Sequence, residues 1–101
     1  MPRHTISVTV GNDTIRVVPE TLTMTALDEV RWAGVGPRKF SLVFDSDRAF
    51  GRRELHHEAA SVHQRPATTG RFKYTVVSGD DPKVVLDPVI IVEDPPTGPH
   101  P

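Results

Sequence analysis

Val18-Pro19-Glu20-Thr21-Leu22-Thr23-Met24, followed closely by Leu27-Asp28-Glu29-Val30-Arg31-Trp32, is the stretch of this chain whose reading decides its fold. Leu22 and Met24 alternate with threonines, so apolar side chains recur at every second position, the period of a half-buried β-strand and not of a helix. Pro19 ends the strand before it, because proline has no N–H to give to a ladder. Asp28-Glu29 makes a polar corner, and Val30-Arg31-Trp32 starts a further strand. Short strands joined by tight corners are the pattern of a sandwich or barrel.

The same alternation runs in both directions from here. Towards the N-terminus, Ile6, Val8 and Val10 alternate with hydroxyl residues, and Gly11-Asn12-Asp13 is a turn signal leading into a strand over Thr14 to Val18. This predicts a hairpin with a three-residue loop. Towards the C-terminus, Gly34-Val35-Gly36-Pro37 reads as a loop, and Phe40-Ser41-Leu42-Val43-Phe44 as a strand with Phe40, Leu42 and Phe44 on one face. Gly70 opens a strand through Val77 in which Phe72, Tyr74 and Val76 share a face. Ser78-Gly79-Asp80-Asp81-Pro82 is a turn, and Val84 to Leu86 and Val89 to Val92 close the domain. Asp87-Pro88 between them predicts an edge position or a bulge. Trp32 and the phenylalanines of these faces read as core. The expectation is an all-β Greek-key β-sandwich of 7–8 strands, one domain over 1–93, with a Pro-rich extended tail over 94–101. An immunoglobulin-like sandwich is the alternative topology.

The stretch 45–66 breaks the rhythm. It carries Arg48, Arg52 and Arg53 and three histidines with little alternation. It reads as a long crossover loop, with two turns of helix over Arg53 to Ala60 as the element it can form.

The order of these motifs resembles a plastocyanin-type cupredoxin. That family has a Pro after the second strand, a short strand, and then Gly-Asp-x-Val-x-Trp or Phe; here Leu27 stands at the Gly. Pro37 to Asp45, ending Leu-Val-Phe-Asp, resembles its next strand, Gly70-Arg71-Phe72-Lys73-Tyr74 its Gly-x-Tyr-x-Tyr strand, and Pro88-Val89-Ile90-Ile91-Val92 its closing strand. The resemblance covers roughly 5–93 and implies the cupredoxin-like sandwich. Its copper ligands do not carry over. A type 1 site takes two His, one Cys and a weak axial Met. By the resemblance the first His falls near Arg38 to Phe40, the Cys at about Val76, the second His near Gly79 and the Met near Leu86, and none of these is the required residue. No cofactor is expected, and copper electron transfer is the function rejected most firmly.

Bulk properties narrow the rest. The 101 residues fit one domain with one modest core. Twelve basic against 13 acidic residues, net −1, give no field that draws nucleic acid or an anionic membrane. The absence of cysteine excludes disulfides, thiolate metal sites and cysteine nucleophiles. No apolar run approaches the roughly 18 residues that span a bilayer. Met1 to Val10 carries no signal-peptide pattern, so cytoplasmic is the simple reading, although a mature secreted domain re-cloned behind a new Met reads the same.

Two constellations remain. His56, His57 and His63 are imidazoles of the kind borderline metals favour. On a helix, however, His56 and His63 would lie about 10 Å apart along the axis, too far to share one ion. The second constellation is Arg48, Phe50, Arg52, Arg53 and His56. Arginine beside an aromatic is a binding surface, and interleaved Asp45, Asp47 and Glu54 predict a solvated, self-paired loop. Ser61 beside His63 lacks any nucleophile context, and Asp80-Asp81 are turn formers. The sequence therefore predicts a non-catalytic protein-binding or assembly module with a copper-free cupredoxin-like fold, acting through a protein partner or self-association. A metal-binding domain on His56, His57 and His63, and a small enzyme, are the alternatives.

Overall fold

The computed structural model describes residues 2–36 and 38–95. The tail is therefore outside the described residues from 96 onward, as is Pro37. In chain order the elements are β1 (Arg3–Val10), β2 (Ile15–Val18), β3 (Thr21–Thr25), β4 (Glu29–Val35), β5 (Phe40–Phe44), β6 (Glu54–His56), α1 (His57–Ala60), β7 (Gly70–Ser78), β8 (Val85–Leu86) and β9 (Val89–Glu93). They form two sheets. The smaller has the order β2-β1-β4; the larger has the order β3-β9-β7-β5-β6, with β8 also paired to β7.

Alternation decides which face of each strand is buried. Ile6, Val8 and Val10 of β1, Leu22 and Met24 of β3, Leu42 and Phe44 of β5, and Ile90 and Val92 of β9 all point into one core. Trp32 of β4 is fully buried, and Phe44, Phe50 and Tyr74 meet it with ring centroids 6.1, 5.6 and 5.7 Å away, each edge to face. That geometry sets the positive ring edge against the negative ring face.

The stretch 18–32 carries the chain from one sheet to the other and back. β3 leaves β2 and pairs in parallel with β9, and β4 returns to pair in parallel with β1. Asp28 holds the return corner. Its carboxylate accepts from the Thr25 amide (3.0 Å) and hydroxyl (2.9 Å) and lies 3.0 Å from Nε2 of His4 on β1. His4 and the Thr25 amide hold this carboxyl below the usual range, against the opposing effect of burial.

Three sequence expectations need correction. The helix over Arg53 to Ala60 is instead a strand, Glu54–His56, followed by one helical turn, His57–Ala60. An isolated turn of helix is not stable alone, whereas pairing β6 to β5 satisfies the backbone and buries Leu55. The loop at Gly34-Val35 is the end of β4, extended by its parallel register with Val8 and Thr9. Pro88 falls at the break between β8 and β9, where its carbonyl accepts from the Tyr74 amide at 3.1 Å. The last strand itself is internal, between β3 and β7, and not at an edge.

Candidate functional site

The crossover between β5 and β7 is anchored at both ends. Ser41, Leu42 and Val43 of β5 pair with His56, Leu55 and Glu54. Further on, Val30 and Gln64 exchange two backbone hydrogen bonds of 2.9 and 2.7 Å, fastening the segment to β4. Between Phe44 and β6 the chain makes a turn closed by the Gly51 amide on the Asp47 carbonyl (2.8 Å). Gly51 has φ +79, a region that costs glycine nothing. The turn sends Ala49 and Phe50 inward and leaves Arg48 and Arg52 exposed, with Arg53 exposed just beyond.

Phe50 therefore leaves the predicted binding set. It is 9% exposed and packed on Trp32 and Phe44, so its ring belongs to the core. A second correction concerns charge. Among the described residues none of Arg48, Arg52 and Arg53 forms an ion pair, although Asp45, Asp47 and Glu54 are near in sequence. The three arginines are solvated and not paired within the loop, where Glu54 and Glu58 lie instead beside His56 and His57. Strand alternation and the tight turn separate charges that lie side by side in sequence.

The crossover meets the turn after β7 at an open cavity of about 460 Å³ lined by Lys39, Phe40, Ser41, His56, His57 and Gly79, with Glu58 at its rim. The His57 ring lies 6.2 Å from that of Phe40. Ser41 Oγ and Nδ1 of His56 are 3.2 Å apart across the two strands, and Nε2 of His56 is 3.7 Å from Glu54. Hydroxyl, imidazole and carboxylate stand in the order of a hydrolase relay, but the His56 side chain is 73% exposed and Glu54 is beyond hydrogen-bond reach. Nothing fixes or desolvates the ring as a general base requires. Beside the cavity, Arg38 donates to the Gly11 carbonyl (3.1 Å) and to the Asn12 side chain, and lies 3.9 Å from Asp80, tying the first hairpin turn to the turn after β7. Sequence reasoning missed this cavity, because no local pattern announces that positions 39–41, 56–58 and 79 share a space.

His56 and His57 flank the cavity, but His63 is not in its lining. Among the described residues no group of three or more His, Cys, Asp or Glu side chains is placed to hold a metal ion. The three histidines are thus not brought together. Ser61, the other suspect hydroxyl, donates to the Glu58 carbonyl at 2.7 Å.

Solved structures overlay on most of the chain. A pseudoazurin from Sinorhizobium meliloti matches 94% of it and 76% of its own length, with a TM-score of 0.57 at 13% identity. Two variants of amicyanin each match 88% of this chain and 82% of their own at 15% identity: a proline-to-glycine variant in its reduced Cu(I) form at pH 4, with a TM-score of 0.52, and a methionine-to-glutamine variant with Cu(I), with a TM-score of 0.53. The chain has a cupredoxin-like fold. That disposes of the immunoglobulin-like alternative. No family model matches the chain, and no curated protein matches it in sequence.

The cupredoxin-like frame brings together the positions at which copper ligands are expected, and their side chains do not fit the metal. Phe40 pairs with Ser78, Val76 sits fully buried between Leu42 and Leu86, and the Gly79 amide donates to the Lys39 carbonyl at 2.9 Å. A Cβ on Gly79 would lie 3.1 Å from both Cβ and the carbonyl oxygen of Lys39, so a side chain there would need Lys39 to give by a few tenths of an ångström. An apolar ring, two aliphatic side chains and a glycine supply no sulfur or imidazole. Among the described residues, no helix is long and apolar enough to cross a membrane.

Proposed function

We propose that this chain is a non-catalytic protein-binding or assembly module whose contact surface is the crossover end of the sandwich. The observation that carries the reading is the state of Arg48, Arg52 and Arg53: exposed, unneutralised among the described residues, and held on an anchored crossover at the Phe44 end of β5, the opposite end of that strand from the cavity at Phe40 and His57. Guanidinium groups present planar, weakly hydrated donors suited to carboxylates, so the reading favours a partner with an acidic contact surface. Rigidly positioned loops are where binding residues concentrate.

The test is capture on the immobilised chain, comparing the native protein with a variant carrying Arg48→Ala, Arg52→Ala, Arg53→Ala and His56→Ala. These are exposed positions, so folding is preserved and thermal melting checks it. Loss of a partner from the variant, with a salt-sensitive native interaction, is the expected result. Retention of every interaction overturns the reading.

A further inference from the structure

The outer face of the larger sheet has a layout that the crossover reading does not use. β8 and β9 run one after the other along the same side of β7. Val85 stands opposite Val77, Val89 opposite Lys73, and Ile91 opposite Arg71. Asp87 lies between Val85 and Val89 and accepts from the Thr75 hydroxyl at 2.7 Å. On the other side of β7, Val43 of β5 stands opposite Thr75. Strand alternation turns all of these away from the core that Tyr74, Val76 and Ile90 fill.

The face thus carries five β-branched aliphatics, Val43, Val77, Val85, Val89 and Ile91. Val43 and Val85 are 37% and 47% exposed and the other three half-buried. Along the strand axis Arg71 and Lys73 occupy one half and Asp87 with Glu54 the other, with exposed Glu93 of β9 beyond Arg71 at the cationic end. Among the described residues neither Arg71, Lys73 nor Asp87 belongs to an ion pair.

Apolar rows with Arg71 and Lys73 on one side of the Thr75 level and Asp87 with Glu54 on the other make the centre of this face complementary to itself. From this pattern we infer that the outer face of the larger sheet is the contact surface for a second copy of this chain, in a face-to-face dimer. A two-fold axis lying in the interface, across the strands between the levels of Lys73 and Thr75, reverses the rows. It sets Lys73 beside Asp87 of the second copy and Ile91 on Val85 of the second copy. Isologous contacts of this kind are the commonest route to a homodimer. At about 4.8 Å between strands and 3.4 Å per residue, four strands by four outward rows give roughly 500 Å² per copy, near the lower bound of about 1,000 Å² in total for a specific interface. The inference rests on the assembly half of the proposed function, but on a different surface, so the four-residue variant at the crossover and the variants below fail independently.

Sedimentation equilibrium of the full chain tests it. The native protein is expected to dimerise in the micromolar range, more weakly at high salt. Val85→Lys is expected to leave a folded monomer. Lys73→Asp and Asp87→Lys are each expected to weaken association about tenfold or more, the scale of a close interfacial charge pair. The double variant carrying both changes regenerates both contacts across the two-fold axis and is expected to recover most of the loss, a result that general destabilisation of either single variant cannot mimic. A native chain that stays monomeric to about millimolar concentration, far above the range of specific complexes, overturns the inference. So does a dimer indifferent to Val85→Lys, or a double variant no better than its parents.

Discussion

The indole N–H of Trp32 donates to the phenol oxygen of Tyr74 across 3.1 Å, with the two rings edge to face in the core. Trp32 belongs to β4 of the smaller sheet and Tyr74 to β7 of the larger, so this bond joins the two layers of the sandwich. Each side chain supplies what the other lacks, because indole is a donor only and a buried phenol needs a partner.

Tyr74→Phe keeps the ring and strands the indole N–H in an apolar interior. The expected cost is about 1–3 kcal/mol, the penalty of an unsatisfied buried donor, read as a lower urea midpoint at unchanged m-value. Burial also pushes the Tyr74 phenol up to about 12 from its ordinary 10, with the Trp32 bond opposing. A raised folded pKa gives stability that is complete below pH 10 and lost as pH climbs through about 12. Tyr74 is the only tyrosine in the chain, so its ultraviolet titration is free of overlap. Phenolate absorbance rising near pH 10 while the chain remains folded would contradict this environment.

Asp28 predicts the acid limb of the stability curve. Its folded pKa is lowered, first by His4 and then by the Thr25 amide, so its contribution is present above the unfolded carboxylate range. It is lost as pH falls through the depressed folded value. The melting temperature of the native chain is expected to drop below about pH 4, the unfolded range of Asp. Asp28→Ala is expected to melt lower at neutral pH and to show a flatter acid dependence. An acid limb of equal steepness in both proteins would assign it elsewhere.

Leu55→Ala tests whether the crossover is structured. Leu55 is 1% exposed and faces the core from β6, so truncation is expected to cost about 2–5 kcal/mol. Its neighbour Arg53 is exposed, and Arg53→Ala is expected to stay within about 0.5 kcal/mol of the native chain. Equal, small effects from both in chemical denaturation would mean that the segment is a loose loop.

Gly70→Ala probes the entry to β7. Gly70 has φ +146, and an added Cβ would stand 3.1 Å from the Phe72 ring. Backbone strain in this region costs about 1–3 kcal/mol, which corresponds to a fall in melting temperature of roughly 4–8 °C per kcal/mol for a domain of this size. An unchanged melting temperature would show that the strand start relaxes freely.

Much of the architecture was written in local periodicity. Ile6, Val8 and Val10, Leu22 and Met24, and Phe40, Leu42 and Phe44 each declare a buried strand face by spacing alone, because successive side chains on a strand point to opposite sides. The loss of the copper ligands was legible for the same reason that a side chain's chemistry is local: a chain without cysteine has no thiolate, whatever its fold. Tertiary structure decided the rest. Glu54–His56 became a strand because β5 offered it backbone partners, and nothing in Glu-Leu-His itself prefers that state. Phe50 moved from the predicted surface into the core because a turn at Gly51 aimed it at Trp32. The cavity of Lys39, His56, His57 and Gly79, and the sorted charges of Arg71, Lys73 and Asp87, arise from strand register between segments far apart in the chain. Sequence spacing fixes which way a side chain points along its own strand; only the pairing of strands decides which side chain stands beside it.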